Sequence, residues 1–238
     1  MADRGVSEAL GFVLIFALVV TTLGVVYVTG MAGLTDARDA ERVNNAERAF
    51  DVLADNVEAI THRDAPSRAT EVKLADAGLR VESRDRIAVS VDGGEPIVST
   101  GEVVYDSNMG TDIVYSNGAV LRESAPGTVA VRDPRMSIDG DRAMIHLTDV
   151  SGVRSAPVSG DRTVLVRTDH RNTVTRTATD GSHTVTIEVE TDRTDAWERT
   201  LRSLDDGSSC ETSGTNVACT FETDRVYVTK DSLDVAFS

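Results

Sequence analysis

The sequence predicts an α+β protein: one long N-terminal helix followed by an antiparallel β-sandwich head. Three observations carry that expectation. Residues 9–28, ALGFVLIFALVVTTLGVVYV, are apolar at sixteen of twenty positions, and no charge falls between Glu8 and Asp36. From Asp36 to Ile60 the chain has neither Pro nor Gly and repeats its apolar residues at helical spacing. From Thr70 onward, short β-prone runs alternate with turn residues.

The first stretch is long enough to cross a bilayer, whose hydrocarbon core of about 30 Å needs roughly 20 apolar residues in a helix. A buried helix of a soluble domain rarely stays uncharged on every face for so long. The exceptions to its apolar character are Gly11, Thr21, Thr22 and Gly24; Gly24, Gly30 and Gly33 mark the exit as the point where the helix is weakest. Thr35 or Asp36 suits a fresh helix start.

The next stretch carries Val43, Ala46, Phe50, Leu53, Val57 and Ile60, spaced 3, 4, 3, 4, 3, with Glu41, Arg42, Arg48, Asp51, Asp55 and Glu58 on the opposite face. That is an a/d seam, and a seam of this kind does not stay in water. Either it packs under the head or it pairs two stalks as a short coiled coil. An unbroken helix from Val6 to Thr61 is about 84 Å long at 1.5 Å per residue. Ala65-Pro66-Ser67 ends it.

The head then reads as strands over 70–74, 86–91, 112–116, 128–132, 142–148, 163–168, 172–178, 183–190, 217–222, 225–229 and 233–237. Thr184–Val189 alternates cleanly, placing Val185, Ile187 and Val189 on one face. Asp92-Gly93-Gly94, Ser116-Asn117-Gly118, Asp139-Gly140 and Asp180-Gly181 suit tight hairpins. Residues 194–204 interrupt as a short helix capped by Thr194 or Asp195, with Trp197, Leu201 and Leu204 on one face.

Composition narrows the function classes. The chain has 39 acidic against 24 basic residues, a net charge of −15, and among the basic ones 22 Arg and 2 Lys. No basic stripe meets phosphates, so nucleic acid is not expected as a partner. The Asp-rich, Lys-poor, Thr/Val-rich balance resembles proteins of salt-loving archaea, whose acidic surfaces are screened in brine. Cys210 and Cys219, with eight residues between them, are too few for a zinc site. Outside the cell they are expected to form a disulfide; two reduced thiols is the alternative.

Catalytic motifs are missing. His62, His146, His170 and His183 are scattered in sequence with no metal-ligand spacing, and no nucleophile elbow, P-loop or dinucleotide fingerprint occurs. Carboxylate pairs such as Asp205-Asp206 are expected by chance in so acidic a chain. Asp139-Gly140-Asp141 reads as a solvated turn, because the rest of a calcium loop is absent. No N-x-[ST] sequon is present. The expectation is therefore a non-enzymatic protein with no cofactor and no metal.

One combination resembles a known family. Asp3-Arg4-Gly5-Val6-Ser7-Glu8 followed by unbroken hydrophobicity resembles the class III signal of archaeal type IV pilins and archaellins, over residues 3 to about 61. The resemblance implies that a prepilin peptidase recognises Asp3 and Arg4 and cuts between Gly5 and Val6, so the apolar helix stays with the mature chain. It implies residues 1–5 as leader, 6–34 as transmembrane helix, 35–65 as its amphipathic continuation, and 66–238 as an extracytoplasmic head.

Glu8 is then the third mature residue, whereas bacterial pilins carry their functional Glu two positions further in. Pairing with a neighbour's new amine and a plain headgroup-level charge are both open readings of Glu8. The implied function is a pilin-like subunit of a surface filament, polymerising with like or related subunits through its apolar helix. The alternative is a bitopic membrane protein whose head binds a partner without polymerising. Orientation is weakly coded, with Arg4 before the apolar run and Arg38 and Arg42 after it.

Overall fold

The computed structural model describes residues 3–63, 65–152, 155–205 and 207–238, with side chains from residue 10 onward. The expected helix is one element, α1 (Asp3–His62), which runs unbroken through Gly24, Gly30 and Gly33. The chain forms two compact units, Met1–Arg42 and Val43–Ser238. The division falls inside α1, well before the Ala65-Pro66 break, so the amphipathic part of the helix belongs to the β-rich unit.

Within the first unit, the side chains from Leu10 to Leu34 stand exposed on all faces: Leu10 57%, Phe16 60%, Val28 66%, Leu34 58%. The hydroxyls of Thr22, Thr29 and Thr35 donate back to the carbonyls of Leu18, Val25 and Met31 at 2.6, 2.9 and 3.1 Å. These polar groups are thus satisfied within the helix, as a lipid surrounding demands.

Among the described residues, the second unit holds fourteen strands and one short helix beside the later turns of α1. In chain order they are β1 (Ser67–Lys73), β2 (Gly78–Val91), β3 (Ile97–Asp106), β4 (Thr111–Ser116), β5 (Ala119–Ser124), β6 (Gly127–Arg132), β7 (Met136–Ile138), β8 (Ala143–Ser151) and β9 (Val158–Ser159). Next come β10 (Thr163–Ala178), β11 (His183–Glu190), α2 (Thr194–Arg202), β12 (Ser209–Ser213), β13 (Asn216–Thr223) and β14 (Val226–Phe237). The smaller sheet has the order β1-β10-β14-β8-β7; the larger runs β12-β13-β11-β2-β3-β4-β5-β6, with β9 against the start of β2.

Three expectations need correction. The head is not purely antiparallel, because β14 runs parallel to β8 over the whole stretch Val226–Asp234. Asp180-Gly181 does not make a hairpin: β10 lies in the smaller sheet and β11 in the larger, so this turn carries the chain between sheets. The N-cap of α2 is Arg193 and not Thr194 or Asp195, and no side chain caps that helix, because Arg193 is engaged elsewhere. Asn117-Gly118 does form the two-residue hairpin its sequence demands, with φ of 48° and 84° and Ser116 paired to Ala119.

The strands of the larger sheet send alternate residues into two cores. Val104, Val114 and Leu121 join Ile145, Leu147, Val226 and Val228 of the smaller sheet and Trp197 and Leu201 of α2. Their neighbours Val103, Tyr105, Ile113 and Tyr115 face the other way. They pack with Phe50, Leu53 and Val57 of α1 and with Val164, Val166, Leu233 and Val235. The sheets meet where β3 passes β8: a Cβ on Gly101, which has φ of 94°, would stand 1.9 Å from the Val150 carbonyl oxygen. Only glycine permits that approach.

Cys210 and Cys219 are directly opposite in the β12–β13 register and are joined by a disulfide. It closes a nine-residue separation at the outer edge of the larger sheet. Replacing both with Ser is expected to cost about 2–3 kcal/mol by the chain-entropy estimate. The loss should appear first as faster amide exchange in β12, which exchange measurements on the two proteins would reveal.

Candidate functional site

The seam residues are all brought together. Val43, Ala46, Phe50, Leu53, Val57 and Ile60 are 5%, 2%, 0%, 1%, 3% and 3% exposed, and all six lie in the second core. The Phe50 ring meets Tyr105 edge-on, centroids 6.4 Å apart at 76°. The polar flank of the same helix is held as well. Arg132, at the end of β6, reaches Asp51 at 2.9 Å, Asp55 at 2.7 Å and Glu58 at 3.2 Å. These three carboxylates recur at helical spacing along one flank, so a single guanidinium forks across them.

The expected leader and assembly residues Asp3, Arg4, Gly5, Val6 and Glu8 lie outside the residues whose side chains are described. Beyond them, the helix from Leu10 carries a stretch with mean hydropathy of 2.5, none of it buried. It is long and apolar enough to span a membrane.

The histidines that are scattered in sequence converge in space. His146 Nε2 stands 3.0 Å from Asp231 Oδ2, and His170 Nε2 stands 3.0 Å from Asp231 Oδ1. Thr173 Oγ1 also donates to Asp231 Oδ1. Burial pushes the Asp231 carboxyl up, but hydrogen bonds from His146, Thr173 and His170 outweigh it and hold the group below its ordinary range. The His62 ring lies over His146 with centroids 4.5 Å apart. Desolvation, followed by the nearby charges of His146 and Arg135, lowers the His62 pKa from its usual 6.5.

Arg135 in turn pairs with Glu58. That hydrogen bond is the main reason Glu58 sits below the usual carboxylate range, against an opposing push from burial. Only the helical spacing of Glu58 and His62 hints at this cluster in the sequence. The rest depends on the parallel register that sets Thr229 beside His146 and Asp231 beside Thr148, which no local pattern announces. His183, the fourth histidine, stands apart on Asp92 at 2.8 Å.

A second polar cluster lies inside the larger sheet. A bulge in β2 between Glu82 and Arg86 places Asp85 in the interior, 0% exposed. Its Oδ1 accepts from Thr191 at 2.6 Å and from Arg193 at 3.1 Å, and Arg193 also reaches Glu102 at 2.8 Å and Glu123 at 2.8 Å. Burial, then the charge of Asp85, pushes Glu102 up to about 7 despite Arg193. This cluster ties Arg193, the N-cap of α2, to β2, β3 and β5 of the sheet. Among the described residues, no group of three or more His, Cys, Asp or Glu could hold a metal ion.

Fold and site thus define an α+β protein with an apolar helix long enough to span a membrane and a β-rich domain built on the later turns of that helix. The chain belongs to the family of unknown function DUF7289, which it matches over residues 4–236. No curated protein and no solved structure matches it.

Proposed function

We propose that this chain is a non-enzymatic, pilin-like subunit of a type IV surface filament of a salt-loving archaeon, with its β-rich domain outside the cell. One observation carries the reading. The apolar side chains from Leu10 to Leu34 face outward all round the helix, while the helix from Val43 onward is packed into its own β domain. Such a helix needs lipid or like helices around it. A subunit that exchanges lipid neighbours for protein neighbours satisfies both demands in turn. Asp3-Arg4-Gly5, ahead of the apolar stretch of that helix, is the kind of leader a prepilin peptidase removes.

Mass spectrometry of the N-terminus tests this in membrane and sheared-surface fractions. The expected mature chain begins at Val6 and appears in both fractions, and Gly5→Trp leaves uncut protein in the membrane alone. Retention of Met1 or Ala2 in the wild type, with nothing in the sheared fraction, would instead establish the bitopic anchor.

A further inference from the structure

Helix α1 covers one face of the smaller sheet and ends at His62; beyond that end the same face stays open. Register places Thr177, Tyr227, Met144 and Ser137 in one row across it, and Thr175, Thr229 and His146 in the next. The opening is a cleft of about 360 Å³, walled by His62, Arg135 and His146 and floored by Met144 and Tyr227, which are 51% and 36% exposed. Thr229 and Ser137 add hydroxyls. Among the described residues no acidic one lines it, although the chain as a whole carries a net charge of −15.

The carboxylates nearest the cleft are already committed. Glu58 is held by Arg132 and Arg135, and Asp231 by His146, His170 and Thr173. The lining therefore offers hydrogen-bond-donating nitrogen from Arg135, His62 and His146, while the carboxylates that pair with Arg135 and His146, Glu58 and Asp231, stand outside it. Its size is that of a small-molecule site, too roomy for a bare oxyanion, and its exposed ring, thioether and hydroxyls form a platform with two characters. An apolar surface beside hydroxyls matches a pyranose, which presents a C–H face and an equatorial rim of O–H groups.

We propose that this cleft binds an acidic saccharide, a uronate unit of a glycan. Its carboxylate would lie against Arg135 and the His62 imidazole, its ring face on Tyr227 and Met144, and its hydroxyls against Thr229 and Ser137. The proposal does not rest on filament assembly.

Binding carries its own proton signature. His62 is faced by Glu58 on its own helix, by Arg135, and by His146 of β8. Asp231 of β14 and His170 of β10 stand behind His146. The balance of these neighbours with burial keeps His62 biased to the neutral form; a bound carboxylate adds the missing negative charge and raises its pKa. Affinity therefore rises as pH falls and His62 takes up a proton.

The test is a saturation-transfer NMR titration of the full-length, detergent-solubilised protein with galacturonate and glucuronate, with galactose and inorganic phosphate as comparisons, near pH 5.5 and near pH 8. Uronate binding is expected, tighter at the lower pH, with no galactose binding. Tyr227→Ala and Arg135→Gln should each weaken uronate about tenfold or more, given the strength of charge-assisted bonds and ring stacking. Thermal melts check that both variants fold; Tyr227 is exposed, so Tyr227→Ala decides the matter should Arg135→Gln unfold. The proposal falls if uronate fails to bind at either pH, if galactose binds equally, or if Tyr227→Ala binds as the wild type does. It falls too if phosphate displaces uronate completely while Tyr227→Ala leaves both unchanged, since the site would then be a simple anion hole.

Discussion

Phe50→Ala unfolds or severely loosens the β-rich unit, at an expected cost of about 3–5 kcal/mol. Phe50 is 0% exposed, sits at the middle of the helical seam and meets Tyr105 edge-on. Truncation removes that aromatic contact and leaves a cavity walled by two sheets that cannot both collapse into it. The measurement is a thermal melt of a fragment starting at Asp36, which holds all of the compact unit Val43–Ser238. The wild-type midpoint should not move across a hundredfold dilution, because the seam is covered by the fragment's own strands. A midpoint that falls on dilution would mean instead that a second helix covers it.

Arg193→Met has an effect of similar size for a different reason. It leaves Asp85 and Glu102, both 0% exposed, without their shared cation. Breaking a buried ion cluster by removing one partner costs about 3–5 kcal/mol, although replacing the whole cluster by apolar groups is often neutral. Asp85→Leu with Glu102→Met in the same Arg193→Met chain should therefore recover much of the loss.

The cluster also gives a pH arm with a definite sign. Glu102 has a folded pKa of about 7 against an ordinary 4.5, so the folded state holds a proton that the unfolded state releases. Its contribution is fully present below about pH 4.5 and is lost as pH rises through about 7, by roughly 3 kcal/mol in all. His62, lowered from 6.5, acts in the opposite sense: its contribution is lost as pH falls below that value. The difference between wild type and Glu102→Gln in chemical denaturation across this range isolates the glutamate, and a flat difference would refute the assignment.

What the sequence made legible was whatever depended on local period. The 3-4 spacing from Val43 to Ile60 named six buried residues and passed over Ala54 and Ala59, which are buried too, and Asn117-Gly118 named its hairpin. The breaks in the strand reading fall where one strand changes faces. Residues 225–229 and 233–237 read as two strands because a polar stretch separates them, yet both belong to β14. Val226 and Val228 feed the first core from one face and Leu233 and Val235 feed the second from the other, so the polar stretch is the crossing point.

Likewise 163–168 and 172–178 are one strand with an irregularity at Arg171. Strand β3 escaped notice because Gly101 and Glu102 look like punctuation. One is there to admit the Val150 carbonyl and the other to meet Arg193. The histidine cluster was invisible for a deeper reason: it is assembled from α1, β8, β10 and β14 by a parallel pairing that sets Val226 beside the distant Ala143.

That pairing has a consequence for biogenesis. β14 comes after every other described element in the chain, yet it is the middle strand of its sheet, between β10 and β8. On a chain made from the N-terminus, the apolar helix is available to the membrane long before the strand that completes the sheet exists. Until β14 docks, β8 and β10 lack their common neighbour, and the seam around Phe50 lacks Leu233 and Val235. Such late, long-range closure is slow and leaves sticky surface exposed in the interim. An apolar helix held in a bilayer during that interval would keep half-made copies of the domain apart.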